Sequence, residues 1–202
     1  YGKDITTSLT TEETFEYNDR NFIRKKEIKS SKGEMRSTAS KYPSNFSSTI
    51  YQNMTSRNIL SPVIEQRDSV INVQTLLTEN NYFNPNSNLF VLQDVKVQNK
   101  TAPLRTVVKF NKYDTHGNAL EVEGSNGLKE SYLWGYGAQY PVAKVQGADY
   151  ATISSLINQT ILDSAYKESS KQLQSELSKI RIGTSSGQAQ VFTYAYSPII
   201  GM

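Results

Sequence analysis

Short stretches of alternating apolar and polar residues run through most of the chain, separated by clusters of Asn, Asp, Ser, Gly and Pro. Alternation with a period of two turns one strand face toward a core and the other toward water, and closely spaced turn clusters between such runs imply hairpins. Residues 14–17 and 22–29 flank the turn former Asn18-Asp19-Arg20-Asn21, Gly33 marks the next turn, and 35–42 makes a third strand. Further strands are expected at 63–73, 74–83, 89–98, 104–113, 119–123, 128–135 and 140–145. Turns are expected at 84–88, 99–103, 114–118 and 124–127. The reversal between 63–73 and 74–83 contains no Gly, so the pattern does not fix its place. Apolar residues at 50, 54 and 59 predict a short helix near 50–60, ended by Pro62.

After residue 148 the period changes. Ile153, Leu156, Ile157, Ile161 and Leu162 fall three and four apart, as in part do Tyr166, Leu173, Leu177 and Ile180. Asp149 suits a helix N-cap. The charged, serine-rich stretch 163–170 predicts a break, which gives a helical pair over 149–181 packed as a hairpin. Its apolar stripe predicts that it covers the sheet. Lys167, Lys171 and Lys179, with Glu168 and Glu176, suggest a solvated outer face. Residues 183–187 read as a connector, and 188–197 alternate again. The expected organisation is mainly β. Antiparallel hairpin repeats occupy 1–148, a helical hairpin is inserted at 149–181, and a linker with a strand resuming the sheet fills 182–202, all in one structural unit.

Composition narrows the chemistry. The 202 residues, 37% of them hydrophobic, suffice for a core, and the net charge of +3 is too small to demand nucleic acid. Without cysteine there are no disulfides, thiol nucleophiles or thiolate metal sites. No apolar run is long enough for a transmembrane segment. The single histidine, His116, falls in a turn with no nucleophile motif nearby, and is expected to face solvent. Glu12-Glu13 and the alternating pair Glu121 and Glu123 read as exposed strand faces. Arg20, Arg24, Lys25, Lys26, Lys29, Lys32 and Arg36 crowd residues 20–36 against Glu27 and Glu34. Such a charged strand discourages edge-to-edge aggregation. No catalytic, cofactor or metal site is expected.

Two stretches repeat one another. Tyr17-Asn18-Asp19-Arg20-Asn21 leads through a strand to Gly33; Tyr113-Asp114-Thr115-His116-Gly117-Asn118 leads through a strand to Gly127, Tyr132 and Trp134. The first is read as one residue shorter in its turn and as lacking the turn glycine. A repeated hairpin implies stacking, because a single hairpin cannot bury its apolar face alone. The unit Tyr113-Asp114-x-x-Gly117-Asn118, then Gly127 and Tyr132, resembles a YD repeat of the RHS family. The strings 131–136 and 140–145 (SYLWGY and YPVAKV) resemble segments of large RHS-like bacterial surface and secreted proteins. So do Tyr51 to Gln66 and the closing stretch Thr193 to Met202.

That resemblance implies hairpins winding into a continuous spiralling sheet, in some members a shell around a variable C-terminal effector. It implies an extracellular or cell-surface location. The implied partners are flanking repeats of the same polypeptide, with an enclosed effector or export machinery beyond them. The start at Tyr1-Gly2-Lys3 and the end at Met202 read as a slice of a longer chain. The structural repeat residues are then Tyr17, Gly33, Tyr113, Asp114, Gly117, Asn118, Gly127, Tyr132 and Trp134. An alternative reading makes the chain an adhesin or carbohydrate-binding module, with Trp134, Tyr136 and Tyr140 as an exposed aromatic platform.

Overall fold

The computed structural model describes residues 10–31, 33–86, 88–164, 170–184, 187 and 189–196. Lys32, Tyr166, Lys167, Glu168 and the closing residues 197–202 lie outside the described residues. Eleven strands follow chain order through one antiparallel sheet, with β1 and β11 as its two ends. They are β1 (Glu12–Tyr17), β2 (Ile23–Lys29), β3 (Met35–Lys41), β4 (Glu65–Val70), β5 (Val73–Asn86), β6 (Leu89–Asn99), β7 (Arg105–Tyr113), β8 (Ala119–Gly124), β9 (Lys129–Gly135), β10 (Tyr140–Gln146) and β11 (Gln190–Thr193).

Two compact units divide the chain, residues 1–84 with 94–107, and residues 85–93 with 108–202. In the first unit, acidic β1 pairs with basic β2, so that Glu16 meets Arg24 (2.8 Å) and Glu13 meets Lys26 (3.0 Å). Lys25 lies 2.7 Å from Glu27, and Arg36 lies 3.3 Å from Glu34. Much of the basic run is thus matched by carboxylates across or along the sheet. Between β3 and β4 the chain leaves the sheet through a 3-10 turn (Pro43–Asn45) and helix α1 (Thr49–Ser56). It returns where Ile64 N–H donates to the Lys41 carbonyl (2.8 Å). Tyr42, Tyr51, Met54, Ile64 and Leu77 are buried there.

The reversal that the pattern could not place is a two-residue turn. Val70 pairs with Val73, and Ile71 and Asn72 adopt φ of 50° and 62°. The turn expected over 84–88 is narrower, because β5 continues through Pro85 to Asn86, whose side chain accepts Asn88 N–H (3.2 Å).

In the second unit the described residues of the insertion form three helices where a pair is expected: α2 (Tyr150–Ser154), α3 (Gln159–Asp163) and α4 (Ser170–Gly183). Asp149 caps α2 by accepting Thr152 N–H (2.7 Å). The extra break follows from a second cap, Asn158, whose side chain accepts Thr160 N–H (3.0 Å) and starts α3 afresh. Ile153, Leu162, Leu173, Leu177 and Ile180 are buried with Leu133, Val142, Ala143 and Val145 of β9 and β10 in one core. The helices therefore cover one face of these strands.

Candidate functional site

The site begins with a turn built twice. Asn18 N–H donates to Phe22 O (2.9 Å), and Asn21 N–H to Asn18 O (3.0 Å). Asp114 N–H likewise donates to Asn118 O (3.0 Å), and Gly117 N–H to Asp114 O (3.3 Å). In each turn the first side chain accepts two later amides. Asn18 Oδ1 takes the N–H of Arg20 and of Phe22, both at 3.0 Å. Asp114 Oδ1 takes the N–H of His116 and of Asn118, both at 2.8 Å. The pairing beside the turn agrees too, including a bulge before the tyrosine, although the second copy has a further irregularity between Phe110 and Lys112. Glu16 and Tyr17 oppose Lys25 and Ile23, as Lys112 and Tyr113 oppose Glu121 and Ala119.

The two turns are therefore equal in length, against the shorter first copy read from the sequence. Phe22 occupies the place of Asn118, and Asn21 at φ 62° stands in for Gly117 at φ 90°. Asn is among the few residues that tolerate this left-handed backbone. The turns marked by Gly33 and Gly127 also match, with Ser30 and Gly124 N–H each bonded to the carbonyl four residues on, at 3.0 Å.

An aromatic donor completes each copy. Tyr42 Oη–H donates to Ile23 O (2.8 Å), and Trp134 Nε1–H donates to Ala119 O (2.9 Å). The signal was present in the register. Continuing the Lys25–Ala39 pairing by two residues sets Ile23 opposite Lys41, next to Tyr42. Continuing Glu121–Ser131 in the same way sets Ala119 opposite Leu133, next to Trp134.

The tyrosines before the turns sit differently. Tyr17, on the end strand β1, is 56% exposed. Tyr113 is half-buried, stacks on Phe110 and donates its hydroxyl to Leu92 O (2.7 Å). Tyr132 donates to Glu130 Oε2 (2.8 Å) on its own strand.

Helices α2 and α3 border the second copy. Glu121, expected on an exposed face, is 3% exposed and accepts Tyr150 N–H (2.8 Å), Lys129 (3.3 Å) and Asn111 Nδ2 (3.2 Å). Burial raises its pKa, but these three donors outweigh it and hold the carboxyl below its ordinary value. Glu123 accepts the same Asn111 amide (3.0 Å). Glu176, expected on the solvated face of α4, is also buried, because it accepts Asn158 N–H and Lys179 Nζ, each at 2.6 Å. Gly135 lets α3 approach: a Cβ there would lie 2.7 Å from Leu162 O, the atom that accepts Tyr136 N–H.

Between the repeated turn and α2–α3 lies a cleft of about 220 Å³, lined by Asp114, Thr115, His116, Leu120, Trp134, Ala138, Tyr150, Gln159 and Asp163. Its walls are tied to each other. Gln159 Nε2 donates to Trp134 O (2.7 Å) and to Asp163 Oδ1 (3.0 Å). Asn118 Nδ2 donates to Asp114 Oδ2 (2.9 Å) and to Ala138 O (2.8 Å). His116 is exposed, with Nδ1 3.8 Å from Asp114 Oδ2. Tyr150, Gln159 and Asp163 were not singled out in the sequence, since nothing local marks a helix that returns over a turn.

Tyr136 and Tyr140 stand apart from this cleft, in edge-to-face contact at 5.8 Å. Both rings also pack on Tyr196, whose N–H donates to Tyr136 Oη (3.1 Å). Among the described residues, no three His, Cys, Asp or Glu side chains gather into a metal-sized cluster, and no helix is long and apolar enough to cross a membrane. No protein-family model matches the chain, and no curated protein matches it.

Proposed function

We propose that this chain is a non-enzymatic structural segment of an exported RHS/YD-repeat-like protein, forming part of a β-sheet shell or surface scaffold. The observation that carries this reading is the turn built twice, with the same pairing and bulge beside its tyrosine and an aromatic donor on the next strand. A sheet whose strands follow chain order grows by adding such hairpins at its ends, and each added hairpin buries apolar surface of the one before. Asp114 and Asn118 serve the backbone of the turn and carry no chemistry of their own in this reading. Flanking repeats of the same polypeptide would pair with β1 and β11, and an enclosed effector would lie inside the finished wall.

Electron cryo-microscopy of the full-length polypeptide tests the proposal. The expected result is a continuous wall in which β1 and β11 each pair with a strand from flanking sequence. A full-length protein in which both strands remain unpaired would overturn it.

A further inference from the structure

We propose that the cleft over the second turn binds a neutral sugar ring. Its volume of about 220 Å³ suits one pyranose, and it mixes ring surface with planar polar groups. Trp134 and Tyr150 supply aromatic surface against which the C–H face of a sugar packs, while Leu120 and Ala138 add apolar lining. His116, Gln159 and Asp163 supply imidazole, amide and carboxylate groups of the kind that bind vicinal hydroxyls in pairs, while Asp114 is held by the turn.

The walls are held in place before any ligand arrives. Trp134 is fixed at its indole N–H by Ala119 O and at its carbonyl by Gln159. Asp114 is fixed by two amides and Asn118, and the start of α2 by Glu121. Binding to a preformed cleft loses little conformational entropy, which is how a small polar ligand gains useful affinity. Two carboxylates and no Lys or Arg line the cleft, so an anionic sugar is disfavoured. The first copy of the turn also borders a hollow, of about 460 Å³, but Arg24, Lys25 and Lys41 line it and Tyr17 is the one ring in its lining, so it lacks the paired rings and the α2–α3 wall. Sugar binding is therefore a property of the helical insertion and not of the repeat.

Trp134 is the sole tryptophan, so its fluorescence reports on this cleft alone. The whole chain is titrated with glucose, galactose, mannose and N-acetylglucosamine, with glucuronate and choline as charged controls. A saturable change is expected with at least one neutral sugar, with a Kd on the order of 1 mM. Asp163→Ala and His116→Ala should each weaken it about tenfold, while Tyr140→Ala, outside the cleft, leaves it unchanged. His116 is exposed, so its variant carries the test if Asp163→Ala alters the fold. No saturable change with any neutral sugar overturns the proposal. So does a response to choline alone, which would mark a cation site, or a sugar response that survives both cleft variants.

Discussion

Between Tyr17 and Ile23, and again between Tyr113 and Ala119, the backbone follows one course, but what surrounds the two loops differs. The first belongs to the end strand of the sheet and is held by exposed ion pairs such as Arg24–Glu16. Pairs of that kind are screened by solvent and add little to stability. The second carries a roof, and at the position of Lys25 it has Glu121, buried and bonded to the first residue of α2. The turn is thus an economical module that needs only its own side chain and a left-handed residue. Its surroundings set how strongly any one residue is held.

Mutations should separate module from surroundings. The largest effect is expected at Gly135→Ala, where the new Cβ would meet Leu162 O at 2.7 Å and Val142 Cγ1 at 2.9 Å. Forcing α3 off the sheet should cost about 3 kcal/mol in urea unfolding followed by Trp134 fluorescence. An unchanged midpoint would mean that α3 does not sit against β9 as described. Glu121→Gln should cost about 2 kcal/mol, less than a fully desolvated pair because Lys129 keeps solvent contact.

A pH dependence follows from the same carboxylates. Burial pushes Glu130 and Glu176 up as it does Glu121, yet hydrogen bonds from Lys144, Gln146 and Tyr132 to the first, and from Lys179 and Asn158 to the second, hold both below the ordinary value. A carboxyl with a lowered folded pKa stabilises the fold fully above its unfolded pKa, about 4.3. That contribution is lost as the pH falls from there through the folded value. The second unit should therefore weaken progressively below that range, read by Trp134 emission, and Glu121→Gln should flatten the loss.

The turns themselves should respond less. Asp114→Ala is expected to cost about 1.5 kcal/mol and Asn18→Ala about 1, since Asp114 is charged and holds a third donor, Asn118 Nδ2. Equal costs in thermal unfolding would show that the added bond contributes nothing.

Strand order was legible because the period of two and the Gly- and Asn-rich turns are local signals. The β4–β5 turn was not, since Ile71 occupies a left-handed position that Gly or Asn normally marks. The equivalence of the copies was half legible: Tyr17 and Tyr113 share a motif, but Phe22 for Asn118 and Asn21 for Gly117 hid the common length. The burial of Glu121 and Glu176 was not legible at all. Each answers a backbone N–H some 29 or 18 residues away, and a strand or helix pattern carries no trace of so distant a donor. The Trp134 cleft was missed for the same reason, because its second wall is a helix whose return over the sheet is set by packing.

An exchange at the left-handed position tests the equivalence most directly, and its Asn21 arm carries the smallest effect. Asn21→Gly removes a modest backbone strain at φ 62° but loosens the unfolded chain, so the two terms nearly cancel and stability should move by no more than about 0.5 kcal/mol. Gly117→Asn meets a harder site, with φ at 90° and a Cβ that would lie 3.0 Å from Leu89 Cδ1. It should cost about 1.5 kcal/mol. If the exchange were symmetric, Leu89 would have to give way freely, and β6 would not be pressed against the second turn as it is here. If Asn21→Gly were instead strongly destabilising, the side chain of Asn21 would have a role beyond tolerating its backbone, and the two turns would be alike in outline only.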